Sequence, residues 1–180
     1  MKNTVLIVID IQTGAFDGKE IPPVHAGREL LQRVGQLIAA ARTASIPVFF
    51  IQHCAQAGQL LVKWSPAWAL HPSIQAKPNE RVIYKRQSSA FDGTDLQQIL
   101  ENLKVDTLVS CGIQSEFCLS NTCIDALDLG INVFVAADAH STLSTDDDDA
   151  ETIIARQNII LAERGATVQK TTDLAQHFSS

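Results

Sequence analysis

Nearly unbroken apolar runs alternate along this chain with longer stretches in which apolar residues recur every three or four positions. Residues 4–10 (TVLIVID) have almost no polar interruption, which predicts a strand covered on both faces. Residues 27–45 place Leu30, Leu31, Val34, Leu37, Ile38 and Ala41 on one stripe and predict an amphipathic helix. Further strands are predicted at 46–53, 81–85, 105–112 and 131–138, with a weak sixth at 166–169. Helices fill the gaps. One opens at Thr94, a good N-cap. One runs from Glu116 to Leu129 and is ended by Gly130. One is capped by Thr145 and runs to about Arg164. Residues 54–80 carry Pro66, Pro72 and Pro78 and little periodicity, and predict a long irregular excursion of the kind that often serves function.

Strands alternating with helices imply parallel βαβ units. The expected fold is α/β: a single three-layer α/β/α domain spanning residues 1–180, with a mostly parallel, six-stranded, doubly wound, Rossmann-like sheet. No repeat or linker interrupts it. Ligands of such sheets sit beyond the carboxyl ends of the strands, which draws attention to Asp10, Lys85 and the turn after Gly112.

Composition narrows the functions. Hydrophobic residues make up 46% and charged residues 19% of 180, a globular balance. The net charge is −6 with no Lys/Arg cluster, which argues against a nucleic-acid partner. No apolar run approaches a membrane span, and the start of the chain lacks the features of a signal peptide. A cytoplasmic protein acting on a small molecule is expected. There, thiols stay reduced and a disulfide framework is not expected.

Three of the four cysteines fall within CGIQSEFCLSNTC. Cys111, Cys118 and Cys123 have no CxxC spacing and no nearby His pair, so neither a zinc site nor a redox pair is indicated. Cys111 belongs to an apolar strand, and Cys123 shares a helix stripe with Leu119, Ala126 and Leu127; both read as core. Cys54, after a strand end, reads as core rather than pocket. Cys118 lies in the first turn of a helix that follows a strand. Backbone N–H groups and the helix dipole there favour an anion, so a lowered thiol pKa is expected. Asp10 and Lys85 end strands that can reach the same edge. Together the three suggest a thiol nucleophile, a cation beside it and a proton carrier.

The stretches LIVIDIQTGAF, VIYKRQSSAFDGTDL and LVSCGIQSEFCLSNTCIDALDLGINVFVAADAHS, in that order and spacing, resemble the isochorismatase-like cysteine hydrolases over nearly the whole chain. The resemblance implies the isochorismatase-like hydrolase fold and an Asp–Lys–Cys triad at Asp10, Lys85 and Cys118. It implies a cis peptide at Ile113–Gln114 and an oxyanion hole formed by the backbone N–H groups of Gln114 and Cys118. Metal-binding relatives, the nicotinamidases, carry Asp-x-His after the second strand. Ile51-Gln52-His53 lacks that Asp, and His53 with His71 makes a poor site, so no metal and no cofactor are expected.

Relatives that hydrolyse a vinyl ether do not need the Cys, so its presence points to cleavage of an amide- or ureido-type C–N bond. The alternatives are a vinyl ether or ester hydrolase, and a catalytically silent binding module. Phe16, His53 and Trp64 are candidate pocket residues. Trp64 with Trp68 is equally a candidate subunit contact in a homo-oligomer, dimer or tetramer. The run Asp146–Asp149 reads as a complement to a helix dipole rather than a metal site. His140 reads as a turn or surface residue rather than part of the pocket rim.

Overall fold

The computed structural model describes residues 3–178. Its elements in chain order are β1 (Thr4–Ile9), α1 (Gly27–Thr43), β2 (Val48–His53), β3 (Arg81–Lys85), α2 (Leu96–Asn102) and β4 (Thr107–Ile113). A π-helical turn (Ser115–Leu119) leads directly into α3 (Ser120–Asp128). Then come β5 (Asn132–Ser141), α4 (Ala150–Glu163), β6 (Thr167–Gln169) and α5 (Thr171–Phe178). Among the described residues no helix is long and apolar enough to cross a membrane.

The six strands form one sheet in the order β3-β2-β1-β4-β5-β6, and every pairing is parallel. β1 is buried throughout, which is why it carries no polar alternation. Its side chains divide by parity. Leu6 and Val8 join a core with Val34, Leu37 and Ile38 of α1 and Leu174 and Phe178 of α5. Val5, Ile7 and Ile9 join the opposite core with Leu96 and Leu100 of α2, Cys123 and Ala126 of α3, and Leu161 of α4. The period-two direction of strand side chains thus produces three layers. From β1 the chain steps outward to β2 and β3, then returns to lay β4 on the other side of β1. The order therefore reverses between β1 and β4, and the crevice beyond their carboxyl ends is where ligands of such sheets bind.

Several boundaries differ from the sequence pattern. The helix cap before α4 is Asp149, whose carboxylate accepts the Thr152 N–H at 2.7 Å. Thr145 instead closes a tight turn with Asp148, and Asp148 pairs with Arg156 at 2.7 Å. Thr94 sits one residue before the α2 cap position, where its hydroxyl accepts the Leu96 N–H and donates to the Ala90 carbonyl. β5 continues to Ser141, so His140 lies within a strand rather than after one. α5, which covers the α1 face, is an element the pattern did not predict.

Candidate active site

Each of the three strand ends delivers one polar group to the crevice. Asp10 follows β1 with φ of 52° and is 4% exposed. Lys85 closes β3 and is 1% exposed. Cys118 lies in the π-helical turn after β4. β4 approaches β1 closely because residue 112 is Gly. It has φ of +125°, and a Cβ there would stand 2.1 Å from the Ile9 carbonyl oxygen. That contact brings the turn after β4 against the residue that follows Ile9. The Ile113–Gln114 peptide bond in this turn is cis.

The Lys85 ammonium joins the groups. Its Nζ lies 2.9 Å from Asp10 Oδ2 and 3.0 Å from Cys118 Sγ. It also lies 3.1 Å from the Gln87 carbonyl oxygen and 3.4 Å from His53 Nδ1. The other Asp10 oxygen, Oδ1, is buried with no hydrogen-bond partner among the described residues. Buried carboxylate oxygens are rarely left so.

The turn that carries Cys118 is held from behind. Ser88 accepts from Asn121 Nδ2 at 2.8 Å, and the Ala90 N–H donates to Thr122 Oγ1 at 3.0 Å. Thr122 Oγ1 in turn donates to the Cys118 carbonyl at 2.6 Å. Within the turn, the Gln114 carbonyl accepts the N–H groups of Phe117 and Leu119. On the far side, buried Ser115 shares a 2.8 Å hydrogen bond with His140 Nδ1, whose Nε2 meets Asn158 Oδ1 at 3.0 Å. His140 is thus a buried residue behind the turn, neither on the surface nor in the cavity. Burial lowers its pKa, with Asn158 and Asp138 opposing.

Asp10 and the thiol compete for one ammonium. Burial pushes the Cys118 thiol above its ordinary value and Asp10 pushes it further, while Lys85 pulls it back. The net direction is upward, opposite to the expectation from the helix terminus alone. The reason is that the thiol is largely desolvated and shares its cation with a carboxylate. For Lys85, burial acts against the charge, but Asp10 and then Cys118 outweigh it, and the ammonium is retained. Cys123 is pushed up to about 12 by burial, and Cys111 is also pushed up by burial; both lie in the cores and donate nothing to the crevice.

A cavity of about 230 Å3 opens over Asp10 and Cys118, lined also by Ile21, Val24, Leu60, Leu61 and His53. Gln114 and Cys118 both belong to its wall. Of the anticipated pocket residues only His53 lines it. Phe16 packs edge-to-face on His71, with ring centroids 5.2 Å apart, and against the α1-side core. Trp64 is 75% exposed and stacks edge-on against Trp68, with Lys63 over its ring. Trp68 is buried, and its Nε1 donates to Cys54 Sγ at 3.3 Å. His71 bonds Ser73. Among the described residues no group of three or more His, Cys, Asp or Glu is arranged to hold a metal ion.

The sequence pattern missed Leu60 and Leu61, and with them Gln12, which seats their segment. Gln12 Nε2 donates to the carbonyls of Trp68 and His53, and its Oε1 accepts the His53 N–H. Residues 11–14 exchange backbone hydrogen bonds with Ala67, Ala69 and His71, so the excursion folds back over β1. A Gln two residues beyond the Asp that ends the first apolar run was the available signal.

The doubly wound parallel sheet brings an Asp, a Lys and a Cys together at its switch point. Comparison with known proteins supplies the family. The isochorismatase domain model matches residues 4–173. Streptothricin hydrolase of Streptomyces noursei is 36% identical over 137 residues, 76% of this chain and 49% of that protein. The chain therefore spans about half the length of that relative. The isochorismatase family protein YecD of Escherichia coli O157:H7 is 34% identical over 158 residues, 81% of this chain and 83% of that one. A cysteine hydrolase from Pseudomonas syringae pv. phaseolicola 1448A superposes with a TM-score of 0.93 at 20% identity, over 98% of this chain and 92% of the other, a likeness of fold. The chain belongs to the isochorismatase family.

Proposed function

We propose that this protein is a cysteine-dependent hydrolase that cleaves the C–N bond of a small amide- or ureido-type substrate through a covalent acyl-enzyme. The observation that carries the reading is the Lys85 ammonium set between Asp10 and Cys118, at 2.9 and 3.0 Å, beneath a small cavity. The unpartnered Asp10 Oδ1 supports it, since a proton carrier needs a free oxygen.

The raised thiol pKa makes the resting state a thiol beside an ion pair. As Cys118 Sγ bonds to the substrate carbonyl carbon, its proton passes to Asp10 and the C=O electron pair moves onto oxygen. The backbone N–H groups of Gln114 and Cys118 receive that oxyanion. Collapse breaks the C–N bond, and Asp10 gives its proton to the departing nitrogen. A water then attacks the thioester carbonyl while Asp10 takes its proton, and the second collapse frees the acid and the Cys118 thiolate, which recovers the proton from Asp10. Lys85 offsets whichever of the two groups is anionic. No step requires a metal ion. The four free thiols suit a reducing compartment, the cytoplasm. Exposed Trp64 suits a contact between copies in a homo-oligomer.

The test is a panel of small amides, ureas and esters, scored by product analysis. Activity is expected on amide- or ureido-type members. It should survive exhaustive chelation with metal content measured, and be lost in Cys118→Ala. Full turnover by Cys118→Ala, or an activity that falls on chelation and returns with a divalent ion, would overturn the reading.

A further inference from the structure

His53 is the one polar side chain of the cavity wall besides Asp10, Cys118 and Gln114; the rest of that wall is Ala15, Ile21, Val24, Leu60, Leu61 and Ile113. Its Nδ1 lies 3.4 Å from Lys85 Nζ. The ammonium has no acceptor, and its positive charge repels an N–H dipole, so a protonated Nδ1 is disfavoured beside it. The neutral ring therefore keeps Nδ1 as a lone pair and carries its proton on Nε2. Burial, and then Lys85, hold the ring below its ordinary pKa, with Asp10 opposing, so the neutral form prevails at neutral pH. Nε2 makes no hydrogen bond among the described residues.

We infer that His53 is a substrate-recognition residue, a fixed Nε2–H donor that selects acyl groups carrying a hydrogen-bond acceptor near the scissile carbonyl. This rests on the cysteine hydrolase reading above. A lone donor in an apolar wall discriminates strongly, because a ligand lacking the acceptor strips water from the N–H without replacing it. It equally disfavours an ammonium placed there, since donor would face donor. The acceptor lies close to the reacting carbon, because a single ammonium separates the imidazole from Sγ. The cavity sets the scale. About 230 Å3 is roughly eight waters' worth of space, so the substrate is compact and otherwise apolar.

The experiment needs no knowledge of the substrate. Aldehydes add reversibly to a nucleophilic thiol: the C–S bond forms, the carbonyl π bond opens, and the thiol proton ends on the new hydroxyl. Methoxyacetaldehyde and butyraldehyde have nearly the same shape, an ether oxygen in the first replacing a methylene in the second. Each is titrated against alkylation of Cys118 by iodoacetamide, read by intact mass on the full chain, in the wild type and in His53→Leu. Taking the ratio of the two aldehydes in each protein, and then comparing proteins, cancels their different hydration. The wild type should favour methoxyacetaldehyde by about fivefold or more relative to His53→Leu, the effect of one hydrogen bond to a neutral acceptor. His53→Gln, which keeps an N–H donor, should recover part of the preference. Independently of any ligand or variant, 15N spectra of the wild-type imidazole should show Nδ1 bare and Nε2 protonated. A proton on Nδ1, or equal ratios in wild type and His53→Leu while both aldehydes protect Cys118, overturns the inference and leaves the nucleophile standing. Failure of every aldehyde to protect Cys118 defeats both.

Discussion

Asp10 and Cys118 share one ammonium at the carboxyl edge of the sheet, and their order of claim decides the chemistry. Asp10 is the partner that keeps Lys85 charged, and Cys118 is left as a thiol raised by burial and by that same carboxylate. Lys85 is the main influence drawing the thiol downward. Lys85→Met should therefore raise the Cys118 pKa further. Alkylation at neutral pH should slow by roughly tenfold or more, the scale of removing an opposite charge at contact distance. A pH–rate profile of alkylation checks this, and an unchanged profile would remove Lys85 from its role. Asp10→Asn acts oppositely on the thiol, since it removes the anion that pushes the thiol up. It should speed alkylation yet slow turnover by about a hundredfold or more, because the proposed proton carrier is gone. Opposite movement of the two readouts separates a proton carrier from a residue that merely holds Lys85 in place.

At the scale of elements, the sequence was most readable where local chemistry and tertiary structure agree. Continuous apolar runs became buried parallel strands, and Asp10 and Lys85 were visible as the polar residues ending such runs. Thr145 misled because Asp149 is an equally good cap four residues later, and the first buried contacts of α4 begin at Ala150. The cavity wall was hidden because Leu60 and Leu61 lie in a segment without periodicity, whose seat depends on Gln12 reaching Trp68 and His53 across the chain. Phe16 and Trp64 misled because a large aromatic near a site fits a pocket wall, a core or a surface equally well by composition. Gly112 shows what binds element to site. Its φ of +125° and the 2.1 Å approach to the Ile9 oxygen admit no side chain without a shift of backbone. Gly112→Ala should destabilise the fold by about 3 kcal/mol or more, as expected for a strained backbone position with a steric clash. It should also lower turnover by displacing the turn that carries Cys118 from Asp10. Urea unfolding of the two proteins measures the first effect, and a midpoint within error of wild type would contradict it.

The whole molecule answers to pH through histidines it buries as neutral rings. His140 is 3% exposed, between Ser115 and Asn158, and burial lowers its pKa. His53 and His71 are lowered in the same direction, chiefly by burial, but both are less buried. The sign follows from linkage. Above about pH 6.5, the unfolded value, these rings are neutral in both states and make no difference. As pH falls below that value, the unfolded chain takes up protons that the folded chain refuses. Stability then drops with acidification until pH reaches the depressed folded value. The slope from His140 alone is at most about 1.4 kcal/mol per pH unit. His140→Gln removes the titrating ring. It should lower stability at neutral pH by losing the ring's fit behind the nucleophile turn, and should also flatten the decline between about pH 6.5 and 5.5. Because Ser115 adjoins Gln114, the same variant should reduce turnover even where it is fully folded. Unfolding free energies at several pH values, in wild type and variant, give the comparison. Parallel declines in the two proteins would mean that His140 titrates alike in the folded and unfolded states, and that the acid sensitivity of the molecule resides elsewhere.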